Sequence, residues 1–198
     1  MPKKVDHAQR RVLIAEALLR LASTGGLEAV SLRDVAAEAG ISMGAVQHYF
    51  ATKEEMLAHA MDYAVQRAGE RIEARLAENP EQVTTRDVLR ALMLEMLATT
   101  DDSRREFLVS IAFFQRAVAA PELAAHYREF WPRLEKWITE ELREAQTAGE
   151  LTEEVDPARE AELIVLLPDA LSQGLLLGHR TEQDAAATID YHLDQLFD

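Results

Sequence analysis

Polar and aromatic side chains with hydrogen-bonding capacity are concentrated between residues 31 and 53. Gln47 carries the donor and acceptor pair that matches an adenine edge, whereas His48 and Tyr49 suit contacts to phosphate or sugar. Helices that begin within this segment add backbone amides, which bind phosphate at helix N-termini. We therefore predict a DNA-contacting surface made of Ser31, Arg33, Ser42, Met43, Gly44, Ala45, Gln47, His48, Tyr49 and Lys53.

No arrangement of residues in the sequence is typical of an enzyme. The chain contains no Cys, which excludes thiol nucleophiles, disulfides and zinc fingers. The His residues form no His-x-x-x-His pair, no Gly-rich phosphate loop occurs, and no Ser has the context of a nucleophile elbow. We expect no catalytic residue, no metal site and no cofactor. An all-α enzyme is kept as an alternative that needs a convergent acid, base or metal site.

Charge is distributed unevenly along the 198 residues. Residues 1–58 carry seven basic and seven acidic side chains, so the whole net charge of −14 lies in residues 59–198. A surface that binds DNA phosphates must not be strongly negative, and only the N-terminal part meets this condition. The longest apolar run, residues 163–168, is far shorter than the about 20 residues of a membrane span. No secretory signal opens the chain, so we expect a cytoplasmic protein without membrane contact.

Apolar residues recur at helical spacing almost everywhere, and no segment alternates as a strand does. The pattern predicts an all-α fold of about nine helices, with an N-terminal helix-turn-helix domain at 1–51 and a helical bundle at 52–198. Apolar spacing, N-caps and breakers such as Asn79-Pro80 place the helices near 12–24, 31–40, 42–49, 52–77, 85–99, 103–119, 121–148, 156–178 and 181–197.

The segment from Ser31 to Phe50 has the pattern of a helix-turn-helix. This motif needs two short helices that cross steeply, so small residues such as Ala36 and Ala37 favour their close approach. Gly40 permits the tight turn, and Ile41 and Val46 are predicted to fill the angle between the helices. The second helix then presents its N-terminus and one face to the major groove.

The stretch from about Arg10 to Leu57 closely resembles the N-terminal domain of TetR-family transcriptional regulators. The matching residues are Thr24-Gly25-Gly26-Leu27, Val35-Ala36, Ala39-Gly40-Ile41-Ser42, Gly44, Tyr49-Phe50 and Lys53-Glu54. The resemblance implies a homodimer that binds a palindromic operator in double-stranded DNA, with a small-molecule pocket and the dimer interface in the C-terminal domain. Segments between residues 149 and 175 more loosely resemble the BetI-like branch of the family.

The helical C-terminal part carries Met and aromatic residues that suit an adaptable apolar pocket. Such a stripe at helical spacing is also typical of an ordinary core, so both interpretations stay open. The predicted pocket residues are Met61, Met93, Met96, Phe107, Phe113, Phe114, Tyr127, Trp131 and Gln173. We expect the effector to be a small apolar or amphipathic molecule.

The last two predicted helices have the composition of an interface. The helix from Pro157 to about Gly178 is apolar on more than one side, and such a helix must be buried on most sides. The BetI-like resemblance implies a four-helix dimer interface, with the internal core of a monomer as the alternative. Its predicted residues are Leu163, Leu167, Leu171, Leu175, Ile189, Leu193 and Leu196.

Together these features predict a DNA-binding transcriptional regulator, most simply a repressor that a small molecule releases from its operator. The ligand would favour a splayed form by its differential affinity and act through the fourth helix, so that the two recognition helices no longer match successive major grooves. The alternative is a helical small-molecule binding protein with a vestigial DNA reader. An activator of the same family is also compatible with the sequence.

Overall fold

The computed structural model of the chain describes residues 7–25, 30–78 and 83–197. Every regular element in these ranges is an α-helix, which confirms the predicted all-α class. The predicted breaks at Gly26 and at Asn79-Pro80 lie outside the described residues. The described helices are α1 (His7–Gly25), α2 (Leu32–Glu38), α3 (Met43–Tyr49), α4 (Lys53–Leu76), α5 (Thr85–Glu95), α6 (Asp101–Ala119), α7 (Pro121–Ala148), α8 (Pro157–Leu176) and α9 (Glu182–Phe197).

Capping side chains fix the first residue of several helices. Ser31 before α2 and Thr84 before α5 each form a capping box, in which the hydroxyl and the third helical residue satisfy amides reciprocally. Asp156 accepts from two amides of α8, and Pro157 follows at the first helical position. The fifth helix ends at Glu95, four residues before the predicted end. Beyond it, the amide of Ala98 donates to the Ser172 hydroxyl instead.

The chain divides into two compact units. Unit 1 consists of Met1–Arg67 and Leu108–Tyr127, and unit 2 consists of Ala68–Phe107 and Arg128–Asp198. Helices α4, α6 and α7 therefore contribute residues to both units. Neither unit is one continuous stretch of chain. The functional division between residues 51 and 52 stays a prediction.

Unit 1 is held by an apolar core drawn from α1 to α4 and from its parts of α6 and α7. Ile14 and Leu18 of α1 are fully buried, as are Val35 of α2, Val46 of α3 and Phe50 after α3. Their burial removes apolar surface from water and is the main force that assembles these short helices. Ala37, predicted to ease the approach of α2 and α3, is exposed, so Ala36 alone has that role.

Unit 2 combines an apolar core with ion pairs that join distant parts of the sequence. Its buried cluster includes Leu89, Met93, Ile138, Ile164 and Ile189. Around it, α5 pairs with α9 through Arg86 with Asp194 and Arg90 with Asp190. The Arg90 pair is bidentate, with Nε to Oδ1 at 2.5 Å and Nη2 to Oδ2 at 3.0 Å.

The most buried ion pairs of unit 2 surround Arg71. Its Nε donates to Glu95 at 2.6 Å, and Nη1 and Nη2 donate to the two carboxylate oxygens of Glu106 at 3.2 and 2.6 Å. The Glu95 side chain is only 7% exposed. Burial raises the pKa of Glu106, and this effect prevails over the opposing hydrogen bonds from Arg71. Arg75 Nη2 lies 3.9 Å from the second carboxylate oxygen of Glu95, so two arginines face the buried Glu95 and the part-buried Glu106.

Candidate nucleic-acid interface

The turn between α2 and α3 is closed by backbone hydrogen bonds that only a positive φ permits. Gly40 has φ of +64°, the Ile41 amide donates to the Ala36 carbonyl at 3.0 Å, and the Gly40 amide donates to Ala37 at 3.2 Å. This is the bonding of a Schellman motif, which ends a helix sharply. The Ser42 hydroxyl then accepts from the Ala45 amide at 3.1 Å and starts α3. The sequence Gly40-Ile41-Ser42 therefore sets the path of the second helix.

Helix α3 buries one side and exposes the other. Val46 is fully buried, and Ala45 and Tyr49 are half-buried. The exposed side presents the polar and small residues predicted to contact DNA: Ser42, Met43, Gly44, Gln47 and His48. The structure therefore brings these residues to one surface with the N-terminus of α3, although their contact with DNA stays a prediction.

The predicted flanking contacts have different surroundings. Arg33 is exposed in the first turn of α2, and Lys53 is half-buried in the first turn of α4. Ser31 is exposed, but its hydroxyl is occupied by the capping box with Asp34. That hydrogen bond lowers the pKa of Asp34. Ser31 is therefore better suited to fix the N-terminus of α2 than to bind phosphate with its side chain.

Three aromatic rings meet at the C-terminal end of α3. The His7 ring lies 5.6 Å from the Tyr49 ring and 6.3 Å from the His48 ring, and the His48 and Tyr49 rings are 5.3 Å apart. His7 is the first residue of α1 and is exposed. His7 is not among the residues predicted to contact DNA, because no local sequence pattern relates it to residues some forty positions later in the chain.

A second ring contact lies beneath the helix-turn-helix. The Arg11 guanidinium stands 4.7 Å above the Phe50 ring, and the His59 ring is 5.2 Å from it. Burial, assisted by the positive charge of Arg11, lowers the pKa of His59. Within the described chain, the buried His59 Nε2 has no hydrogen-bond partner. Neutral His59 therefore belongs to the apolar support of α3.

The predicted pocket residues fall into both compact units. In unit 1, Phe113 is fully buried and stacks on Tyr127 at 5.5 Å, Met61 is half-buried, and Phe114 is 55% exposed. Phe113 therefore lies in the unit 1 core, and Met61 and Tyr127 pack beside it. Phe114 does not.

In unit 2, Met93 and Phe107 are buried, while Met96 and Trp131 are half-buried beside the core. Gln173 is exposed and donates to Asp169 at 3.1 Å. An open depression of about 610 Å³ in unit 2 is instead lined by His179, Arg180, Asp184, Ala187, Thr188 and Tyr191. None of these lining residues belongs to the predicted pocket set. That the predicted set lines a pocket therefore stays a prediction.

Four residues predicted at the dimer interface are core residues of unit 2. Leu171, Ile189, Leu193 and Leu196 are at most 5% exposed within the single chain, so they present no surface to a second copy. The exposed side of α8 and its C-cap carries a set at three- and four-residue spacing, of which only Leu163 was predicted at the interface: Leu163, Leu166, Ala170, Gln173 and Leu177. Leu167 and Leu175 are half-buried beside the core. The sequence of α8 is apolar on several sides, so its pattern did not reveal which side is exposed.

The described ranges contain neither a candidate group of metal ligands nor a candidate membrane-spanning helix. Residues 7–25, 30–78 and 83–197 contain no group of three or more His, Asp or Glu side chains arranged to hold a metal ion. Within the same ranges, no helix is both long and apolar enough to cross a membrane.

The fold and the exposed α3 define a helical protein with an N-terminal helix-turn-helix. Family comparisons agree with this class: residues 14–60 match the bacterial regulatory proteins of the tetR family, and residues 85–198 match the C-terminal part of BetI-type transcriptional repressors. The second match covers more than half of the chain. The chain belongs to the TetR family of transcriptional regulators, with a C-terminal part of the BetI type.

Individual relatives place the chain among helix-turn-helix regulators. It is 39% identical over 118 residues to the transcriptional regulator PksA of Bacillus subtilis. The aligned region covers 57% of this chain and 54% of PksA. It is 32% identical over 118 residues to the repressor KstR of Rhodococcus jostii. This aligned region covers 58% of this chain and 53% of KstR. The matched region thus spans about half the length of these curated relatives.

Solved structures share the fold over nearly the whole chain. A TetR-family regulator from Rhodococcus sp. superposes with a TM-score of 0.85 at 22% identity and covers 96% of this chain and 100% of its own. A transcriptional regulator from Saccharomonospora viridis in complex with choline has a TM-score of 0.76 at 24% identity, with 95% of both chains covered. At these identities the similarity concerns the fold alone.

Proposed function

We propose that this chain is a transcriptional repressor that binds a palindromic operator as a homodimer and releases it when a small molecule binds. One observation carries the proposal. The polar side of α3 is exposed above a buried base of Val35, Val46 and Phe50, and a capped, Gly40-closed turn fixes its direction. A helix with this exposure and a short preceding helix is the arrangement that enters a major groove. We place this activity in the cytoplasm and assign no enzymatic step to the chain.

The roles of the α3 residues follow from their chemistry. Gln47, exposed in the middle of α3, is proposed to bind an adenine edge through its amide. Tyr49 and Lys53 are proposed to bind backbone phosphates, which position the protein without selecting a sequence. The α3 amino terminus adds amides that attract a phosphate. In a dimer, two copies of α3 would occupy half-sites about one helical turn apart.

The exposed stripe on α8 supports the homodimer. Leu166 is 62% exposed and Leu177 is 79% exposed, although a monomer gains nothing from apolar side chains in water. The stripe of Leu163, Leu166, Ala170, Gln173 and Leu177 alternates steps of three and four residues, as helices that pack along their length require. We propose that this side of α8 packs against the same side of a second copy.

We propose a small cation as the effector class. In unit 2, Trp131 and Phe130 supply aromatic faces with ring centres 5.1 Å apart. Cations bind over aromatic faces. The Saccharomonospora viridis relative contains choline. We propose a quaternary ammonium compound or a cation of similar size.

The DNA-binding role is tested by fluorescence anisotropy on a duplex selected from a random library with the wild-type protein. We expect tight binding that weakens steeply with salt, because Lys and Arg displace counterions from phosphate. Gln47→Ala should weaken the selected site by about 1–3 kcal/mol and relax its sequence preference. The exposed Gln195→Ala of α9 is the matched control and should bind as the wild type does. Failure to recover any salt-sensitive duplex would instead favour a ligand-binding protein with a vestigial reader.

The effector class is tested by thermal unfolding with choline and with its neutral isostere 3,3-dimethylbutanol. Choline should raise the melting temperature and lower operator affinity, whereas the isostere, which has the same shape without the charge, should do neither. Trp131→Leu should reduce the choline effect if the indole face binds the cation. Equal effects of both compounds would contradict a cation site and favour an apolar effector.

A further inference from the structure

The three-ring contact at the C-terminal end of α3 joins the first residue of α1 to the helix proposed to read DNA. His7 lies 5.6 Å from Tyr49 with ring planes at 61°, an edge-to-face contact. His48, whose ring is 6.3 Å from His7, is exposed on the same surface. An edge-to-face arrangement is one that aromatic rings prefer. The contact therefore favours a position of the His7 imidazole beside the C-terminal end of α3.

We propose that His7 is a further DNA-contacting residue, whose imidazole binds a backbone phosphate beside the α3 contacts and whose ring orients Tyr49. This inference rests on the proposed operator binding and extends its surface from α3 to the start of α1. A phosphate is the occupant that the surroundings favour, because an imidazole N–H donates a hydrogen bond to a phosphate oxygen.

The described neighbours of His7 carry no negative charge. The titratable or charged groups among them are His48 and Tyr49 on α3, with Arg10 and Arg11 one turn along α1, while Asp6 precedes His7 in the sequence. Within the described ranges, no acidic side chain forms an ion pair with His7.

A phosphate contact has a signature that ring packing lacks. At a position beside a phosphate, His7→Lys adds one neutralising charge per subunit, so it should steepen the salt slope of log K by about 0.9, or about 1.8 in a homodimer. Between about 50 and 200 mM salt, His7→Lys should then lose roughly tenfold more affinity than His7→Ala.

The test measures anisotropy on the library-selected duplex across salt for five proteins. These are the wild type, His7→Ala, His7→Phe, His7→Lys and the matched control His179→Ala, which removes an exposed histidine from unit 2. His7→Ala and His7→Phe should bind more weakly than the wild type. His7→Lys should recover affinity at low salt with the steeper slope. His179→Ala should match the wild type. Circular dichroism checks that all five proteins have the same helix content.

Two results would overturn the inference while leaving the proposed function intact. One is salt-sensitive wild-type binding with an unchanged affinity in His7→Ala and no steeper slope in His7→Lys. The other is recovery of affinity by His7→Phe but not by His7→Lys, because an apolar ring restores packing but binds no phosphate. If the wild type itself selects no salt-sensitive duplex, the proposed function fails and the inference fails with it.

Discussion

The two compact units stabilise their cores with different chemistry. In unit 1 the central contacts are apolar and aromatic, and its buried ring nitrogen, at His59, belongs to a side chain held neutral. In unit 2 a 7% exposed carboxylate, Glu95, is retained and paired with Arg71. On the surface of unit 1, α3 exposes the polar side chains of Ser42, Gln47 and His48, where a partner can reach them. Unit 2 directs Arg71, Arg86 and Arg90 toward its own carboxylates.

The largest expected effect tests the apolar half of this comparison. Phe50→Ala removes a fully buried ring and leaves a cavity under α3, so we expect a loss of about 4 kcal/mol in the free energy of unfolding. Urea denaturation followed by circular dichroism measures it. Phe114→Ala is the matched control, because Phe114 is 55% exposed in the same unit. A similar loss for both variants would contradict the central role of Phe50.

The next effect tests the ionic half. Arg71→Met leaves the buried Glu95 with only Arg75, 3.9 Å away, and the part-buried Glu106 without Arg71, which costs about 3 kcal/mol at neutral pH. The loss should shrink at acidic pH, because burial raises the pKa of Glu106 and its protonated form carries no charge. Urea denaturation at pH 7.5 and 5.5 gives both values.

Two further variants separate charge from volume at this site. The triple variant Arg71→Met, Glu95→Gln, Glu106→Gln should recover much of the stability, since it buries no uncompensated charge. Arg105→Met removes an arginine from a largely exposed pair with Asp102 and should cost less than about 1 kcal/mol. An Arg71→Met loss that does not depend on pH would point to lost side-chain packing instead.

Local signals allowed the fold to be predicted well. The caps Ser31, Ser42 and Asp156 and the turn at Gly40 are read from a few consecutive residues, and the structure places helix boundaries beside them. The exposed face of α3 followed from the same short segment. These predictions rest on interactions within four residues, which a sequence displays directly.

Contacts between distant residues could not be predicted. Arg71 lies 24 residues from Glu95 and 35 from Glu106, and no periodic pattern connects them. The meeting of His7 with Tyr49 depends on how α1 packs on α3. For α8, apolar residues on several sides left its orientation undetermined, so Leu171 was assigned to the interface although it is buried in the core. Tertiary packing decides these cases.

A smaller effect compares one capping device in both units. Ser31→Ala and Thr84→Ala each remove the hydroxyl of a capping box and should each cost about 1 kcal/mol. Only Ser31→Ala should also weaken operator binding, because α2 positions the turn into α3. Urea denaturation and anisotropy on the same two proteins separate stability from recognition. Equal operator affinity of the two variants would argue against a role of the α2 N-terminus in DNA binding.

The smallest effect concerns the response of the units to acid, where the pKa shifts have opposite consequences. Burial and the charge of Arg11 lower the pKa of His59 below its ordinary 6.5. As pH falls through 6.5, His59 therefore binds a proton in the unfolded chain before it does so in the native state. Unit 1 loses stability as pH falls. Burial raises the pKa of Glu106, so the native state binds its proton first and unit 2 gains stability as pH falls toward that pKa.

Hydrogen exchange at pH 7.0 and 5.5, corrected for intrinsic rates, resolves these opposite responses by residue. Amides of α2 and α3 should lose protection on acidification relative to those of α8 and α9. His59→Gln, which cannot titrate, should abolish the loss in unit 1, whereas the exposed control His179→Gln should retain it. Parallel changes in both units would mean that His59 accepts a proton without disturbing the packing around Phe50. In that case the neutral support under α3 would owe its stability to the Phe50 ring rather than to the protonation state of its neighbour.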